Sequence, residues 1–118
     1  MKEIIIKMES PKEAEDLVLL LFKNGYKIRS AHVRYNLRKG VPVKFRRLDQ
    51  YPLTLSGTYN GTETRLLVSP LAAGIRASGS YSLLKILKAA NFCVEPDDIL
   101  TVRRFNPSTG VLDLTFSK

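Results

Sequence analysis

Asn60-Gly61 is the strongest constraint in this sequence, because it lies between two runs of strand-forming residues and supplies both left-handed positions of a type I′ turn. A two-residue turn fixes the register on either side of it. Tyr59 then faces Thr62, Gly57 faces Thr64, Leu55 faces Leu66 and Leu53 faces Val68, which gathers the apolar ends on one face. Thr58 with Glu63 and Ser56 with Arg65 share the other. A slip of one residue would turn the leucines to water, so turn chemistry and side-chain pattern agree on one hairpin.

Upstream, Ser10-Pro11-Lys12-Glu13 reads as a helix start, with Ser10 at the N-cap, Pro11 at the first helical position and Glu13 closing a capping box. Ala14, Leu17, Val18, Leu21 and Phe22 follow at helical spacing, and Gly25 ends the helix. From Ile28 the period becomes two: Ala31, Val33, Tyr35 and Leu37 alternate with Ser30, His32, Arg34, Asn36 and Arg38. Arg38-Lys39-Gly40 reads as a turn into a further strand, Val41 to Arg46, in which Pro42 argues for an edge position.

Ser69 to Ser80 is a loop of small residues leading to a second helix from about Tyr81, with Leu83, Leu84, Leu87 and Ala90 as its buried stripe. The pattern predicts a last hairpin, Ile99–Phe105 against Val111–Phe116, across Asn106 to Gly110. Leu20–Ile28 can also be laid over Ile86–Val94, which would make the chain a pseudo-twofold β-α-β-β repeat, although any two helix-to-strand junctions share part of this pattern. The expected fold is α+β: residues 1–118 as a single domain, with a mainly antiparallel sheet of about six or seven strands and two helices on one face.

At 118 residues and 44% hydrophobic content the chain can bury a core without staples. Cys93 is the only cysteine, which excludes an internal disulfide and fits the cytoplasm; after Phe92 at the entry to a strand, it reads as a buried, inert thiol. The N-terminus turns polar at Lys7, too early for an export signal, and the longest apolar run, Leu17 to Phe22, is far short of a membrane span, so no membrane partner is expected. With His32 the lone histidine, no metal-ligand set has plausible spacing; Asp97-Asp98 reads as a turn cap, and no nucleotide-binding or hydrolase motif occurs. No cofactor is implied.

The net charge of +8 favours a polyanionic partner. Its distribution says more. Between Asp16 and Asp49 there is no acid, yet Lys23, Lys27, Arg29, Arg34, Arg38, Lys39, Lys44, Arg46 and Arg47 all lie there. His32, Arg34 and Arg38 on one strand and Lys44 and Arg46 on the next would crowd like charges unless an anion sits over them. These residues, with Lys39 and Arg47, form the leading site for nucleic acid, with Tyr51 and Tyr81 as candidate stacking groups. The expected protein is a non-enzymatic nucleic-acid binder, of a kind with small bacterial or phage regulators, and an acidic host protein would suit the same face. A second site is the loop before the second helix, where Arg76, Ser78, Gly79 and Ser80 would hold a nucleotide or other phosphorylated ligand at the helix N-terminus; the bland alternative is a connector whose Ser78 or Ser80 is an N-cap. One enzyme reading remains, a metal-independent ribonuclease using His32, Arg34, Lys44 and Arg46.

Overall fold

The computed structural model describes residues 1–36 and 51–118. The expected turn at Arg38 to Gly40 and the strand from Val41 to Arg46 lie outside the described residues.

The hairpin forms in the register its turn dictates. Strands β3 (Leu53–Tyr59) and β4 (Thr62–Ser69) pair Tyr59 with Thr62, Gly57 with Thr64, Leu55 with Leu66 and Leu53 with Val68. Asn60 and Gly61 take the positive φ values, 52° and 77°, that the tight turn requires. Two strands then extend the sheet outward. β1 (Lys2–Lys7) joins β4 in parallel, and β2 (Lys27–Asn36) joins β3 antiparallel. The fifth strand, β5 (Val111–Ser117), closes the order β1-β4-β3-β2-β5. Among the described residues the sheet is therefore mixed and has five strands, against the six or seven expected.

Both long helices cover one face of that sheet. Helix α1 (Pro11–Lys23) is capped by Ser10, whose Oγ accepts the Glu13 N–H at 3.2 Å. The reciprocal half of the box differs from expectation: the Glu13 carboxylate meets the Ser10 hydroxyl, at 3.1 Å. Helix α2 (Ser78–Ala89) begins three residues earlier than its hydrophobic stripe suggests. Ala14 and Val18 of α1 and Leu83, Ile86 and Leu87 of α2 form one buried cluster with Ile6, Ala31, Val33, Leu53, Leu55, Leu66 and Val68, all from the same side of the sheet. Glu15 is only 3% exposed. Its carboxylate spans the helix pair, accepting the Ser82 hydroxyl at 2.9 Å and the Lys12 ammonium at 3.1 Å, as a buried charge requires.

The apolar phase of β2 changes along its length, from even-numbered Ile28 to odd-numbered Ala31 and Val33, and a bulge explains it. Ile28 pairs with Gly57 and Ser30 with Ser56, leaving Arg29 as the extra residue. Gly57 makes that bulge feasible, since a Cβ there would stand 2.0 Å from the Lys27 carbonyl oxygen. Beside it the buried Tyr26 hydroxyl shares its proton between the carbonyl oxygens of Thr64, at 2.7 Å, and Leu55, at 3.2 Å. Burial raises the pKa of this phenol.

The predicted strand from Ile99 to Phe105 does not form. Pro96–Leu100 is a short helix, α3, with Pro96 in its first turn followed by Asp97 and Asp98, the acids that suit a helix start. Ile99 and Leu100 are both buried, a pattern that a half-exposed strand cannot produce. The turn at Asn106 to Gly110 is present, with the Asn106 N–H donating to Val111 O and the Gly110 N–H to Asn106 O. It leads into β5, which pairs with β2 instead.

The repeat likewise dissolves into something local. Gly25 and Asn91 both have positive φ, 100° and 64°. The Tyr26 N–H bonds Leu21 O at 2.9 Å, and the Phe92 N–H bonds Leu87 O at 3.2 Å. Each is the long bond of a Schellman cap. After these matching helix ends the chain enters a strand in the first half and α3 in the second.

Two substitutions probe this framework. Gly57→Ala should destabilise the protein by about 2 kcal/mol or more, because backbone blocks the added methyl; a lower urea midpoint is the readout. Ser82→Ala should cost about 1–3 kcal/mol by removing a hydrogen bond from a buried carboxylate, and Ser82→Thr, which keeps the hydroxyl, should recover part of that loss.

Candidate functional site

The face opposite the helices carries the polar positions of every strand. Beyond the bulge, β2 sends Ser30, His32, Arg34 and Asn36 to this side, since Ala31 and Val33 between them belong to the core. Across from them on β5 stand Ser117, Thr115, Asp113 and Val111. On the other flank lie Thr54, Ser56 and Thr58 of β3, then Glu63, Arg65 and Leu67 of β4, then Glu3, Ile5 and Lys7 of β1. Leu67 is fully buried and Thr54 nearly so, whereas Ile5 is 49% exposed. The solvated part of the face thus lies toward its margins.

Ion pairs among the described residues order the charges. His32 Nε2 lies 2.6 Å from Asp113 Oδ1, a contact that becomes a salt bridge when the ring is protonated. Arg34 sits directly opposite Asp113 in the β2–β5 register, so one carboxylate serves the space beside both residues. At the bulge, Arg29 grips Glu63 with its two terminal guanidinium nitrogens, at 2.8 and 3.1 Å. That bidentate contact lowers the Glu63 pKa and raises that of Arg29. Arg65 faces Ser56 on one side and Glu3 on the other.

Of the leading set, the structure brings His32 and Arg34 together on this face. Arg38, Lys39, Lys44, Arg46 and Arg47 lie outside the described residues. The two tyrosines differ: Tyr81 is 42% exposed at the start of α2, and Tyr51 is buried at 8%. Asp113 was missed from sequence. Its signal was one acid on the solvent phase of β5, and its partners depended on β5 pairing with β2.

The loop ahead of α2 is arranged as follows. Gly74 has φ 84° and donates its N–H to Ile99 O at 2.7 Å. Arg76 is exposed and lies 3.6 Å from Asp97 Oδ1. Ser78 is exposed, while Gly79 is buried against Ala72, where a Cβ would meet backbone and side chain at 3.0 Å. Ser80 is fully buried, and its Oγ has no hydrogen-bond partner. Neither serine is the cap: Ala77 holds that position, with no side-chain bond.

Cys93 is exposed, contrary to the expected buried thiol. Phe92 takes the inward position after the Schellman cap and packs against Phe116, at 5.7 Å between ring centroids, so the next side chain turns outward. Among the described residues no group of three or more His, Cys, Asp or Glu side chains is placed to hold a metal ion. No helix among them is long and apolar enough to cross a membrane. An open cleft of about 290 Å³ lies where the two helix C-termini meet, lined by Phe22, Tyr26, Lys27, Ala90, Asn91 and Lys118 among others.

The Arg29–Glu63 pair has a checkable titration. With the Glu63 pKa depressed, its stabilising contribution is present above the unfolded carboxyl pKa and is lost as pH falls through the folded value. In Arg29→Gln the Glu63 carboxyl, followed by NMR, should titrate at higher pH, while thermal stability at neutral pH changes little because the pair is solvent-exposed. No family model, no curated protein and no solved structure matches this chain.

Proposed function

We propose that the protein binds nucleic acid without acting on it, gripping phosphates with Arg34, Arg38, Lys39, Lys44, Arg46 and Arg47, and with His32 at the margin of the same surface. The observation that carries this reading is the acid-free stretch between Asp16 and Asp49, which holds nine of the 19 lysines and arginines. His32 and Arg34, on the face opposite α1 and α2, extend it, because the remaining basic residues follow directly in sequence from the strand that carries them. Phosphate contacts of this kind position a polyanion without reading its bases. The reading includes a cytoplasmic location, where a lone exposed thiol stays reduced, and a regulatory role among bacterial or phage proteins.

Gel shifts with duplex DNA, single-stranded DNA and RNA over a salt series test it. If the six named cations each neutralise a phosphate, log K against log salt on a duplex should have a slope of about −5. Arg34→Ala with Arg46→Ala should bring that slope about two closer to zero. Asp113→Asn removes the carboxylate opposite Arg34 and should tighten binding. No complex in any lane at low salt would overturn the reading.

A second reading rests on the 2.6 Å His32–Asp113 contact. A carboxylate on one ring nitrogen orients imidazole for general-base work at the other. His32 would then take the proton of a ribose 2′-hydroxyl as its oxygen attacks phosphorus and the P–O5′ bond breaks, the departing 5′-oxygen taking a proton from water, with Arg34 balancing the charge that develops on the phosphoryl oxygens. The RNA lanes distinguish the two, run denatured in the presence of a chelator. Intact RNA supports binding alone, and fragments ending in 2′,3′-cyclic phosphate that His32→Ala abolishes support the nuclease.

A further inference from the structure

Among the described residues, the outer edge of β5 carries a defined set of backbone groups with no partner. Antiparallel strands aim alternate residues at a given neighbour, and two bonds set the phase here. The Lys118 N–H donates to Arg29 O at 3.1 Å, so even-numbered Leu112, Leu114 and Phe116 face β2. Asp113, Thr115 and Ser117 therefore aim their N–H and C=O groups away from the sheet. Val111 has the same phase, but its carbonyl already accepts the Asn106 N–H at 2.9 Å, which closes the ladder at that end. Among the described residues nothing pairs with the remaining three.

The two sheet edges are protected differently. β1 begins and ends in lysine and carries Glu3, charges that discourage edge pairing. β5 reads Val-Leu-Asp-Leu-Thr-Phe-Ser, with neither lysine nor proline. Its sequence is also compatible with itself. In an antiparallel pair with a two-fold axis at Thr115, Thr115 meets its counterpart and Asp113 meets Ser117 of the second copy. Each of the three outward residues then exchanges both backbone bonds, and no outward donor or acceptor is left over. On the helix side Leu114 comes beside Phe116 of the second copy, and both are only half-buried in one chain. On the other side hydroxyls face hydroxyls and the Asp113 carboxylate, and no like charges are opposed. Moving the axis to Leu114 would require Val111, whose carbonyl is taken.

We propose that β5 is a dimerisation edge, pairing antiparallel with β5 of a second copy through Asp113, Thr115 and Ser117 to join two sheets into one. This stands independently of the nucleic-acid reading. The net charge of +8 on each copy opposes association, so salt should favour the dimer.

Sedimentation at moderate salt, from about 1 to about 300 μM chain, covers the affinities expected of such an edge. The mass should rise from 13.3 kDa toward twice that value. Thr115→Lys sets two ammonium groups across the axis and should weaken the dimer about tenfold or more at unchanged melting temperature. Thr115→Pro deletes only an outward N–H and should do the same; if it fails to fold, Thr115→Lys carries the test. Register is read by cysteines in a Cys93→Ser background. Thr115→Cys should form an intermolecular disulfide on oxidation, because opposed residues of a hydrogen-bonded pair lie about 5.5 Å apart, and Val111→Cys should not. A mass of 13.3 kDa throughout, or a dimer that Thr115→Lys leaves intact and Thr115→Cys does not link, overturns the proposal.

Discussion

The left-handed pair Asn60-Gly61 is the constraint from which the sheet is built. It closes a turn with one register, and that register gathers Leu53, Leu55, Leu66 and Val68 on a single face. β1 adds to one side of the hairpin and β2 to the other, bringing Ile4 and Ile6, and Ala31 and Val33, to the same face. The helices then have one surface to cover. Glu15 ties them together across their own interface through Ser82, so a charge usually found in water becomes part of the core's geometry.

The bulge at Arg29 shifts the phase of β2 and thereby decides what the face opposite α1 and α2 displays. With the extra residue absorbed opposite Gly57, Ala31 and Val33 reach the core, and His32 and Arg34 point to the other side. Arg29 itself closes on Glu63, and Asp113 meets His32. The positive charge of this strand is thus partly neutralised within the molecule.

The resemblance between the two helix-to-strand junctions has a physical origin that needs no duplication. A Schellman cap demands a left-handed residue at one position and an apolar residue at the next, and Gly25-Tyr26 and Asn91-Phe92 meet that demand with closely matching bonds. Beyond the cap the two segments find different neighbours. Tyr26 fits under the bulge and leads into β2, while Phe92 packs on Phe116 and leads toward α3.

The elements legible in the sequence were those set by neighbours a few residues apart: the β3–β4 turn and register, the Ser10 cap of α1, the Gly25 stop, and the alternation of β2. Each depends on φ preferences or side-chain spacing that the local chain carries within itself. Tertiary structure decided the rest. Residues 96 to 105 have apolar content that suits strand or helix, and the choice fell to a short helix whose Ile99 and Leu100 are both buried in the shared core. The partner of β5 is β2, about 80 residues earlier, so the meeting of Asp113 with His32 depended on a pairing that no local pattern encodes. Local sequence sets which conformations a segment prefers, but burial and strand pairing are properties of distant residues brought together, and here they determined which charges and which edge the molecule presents.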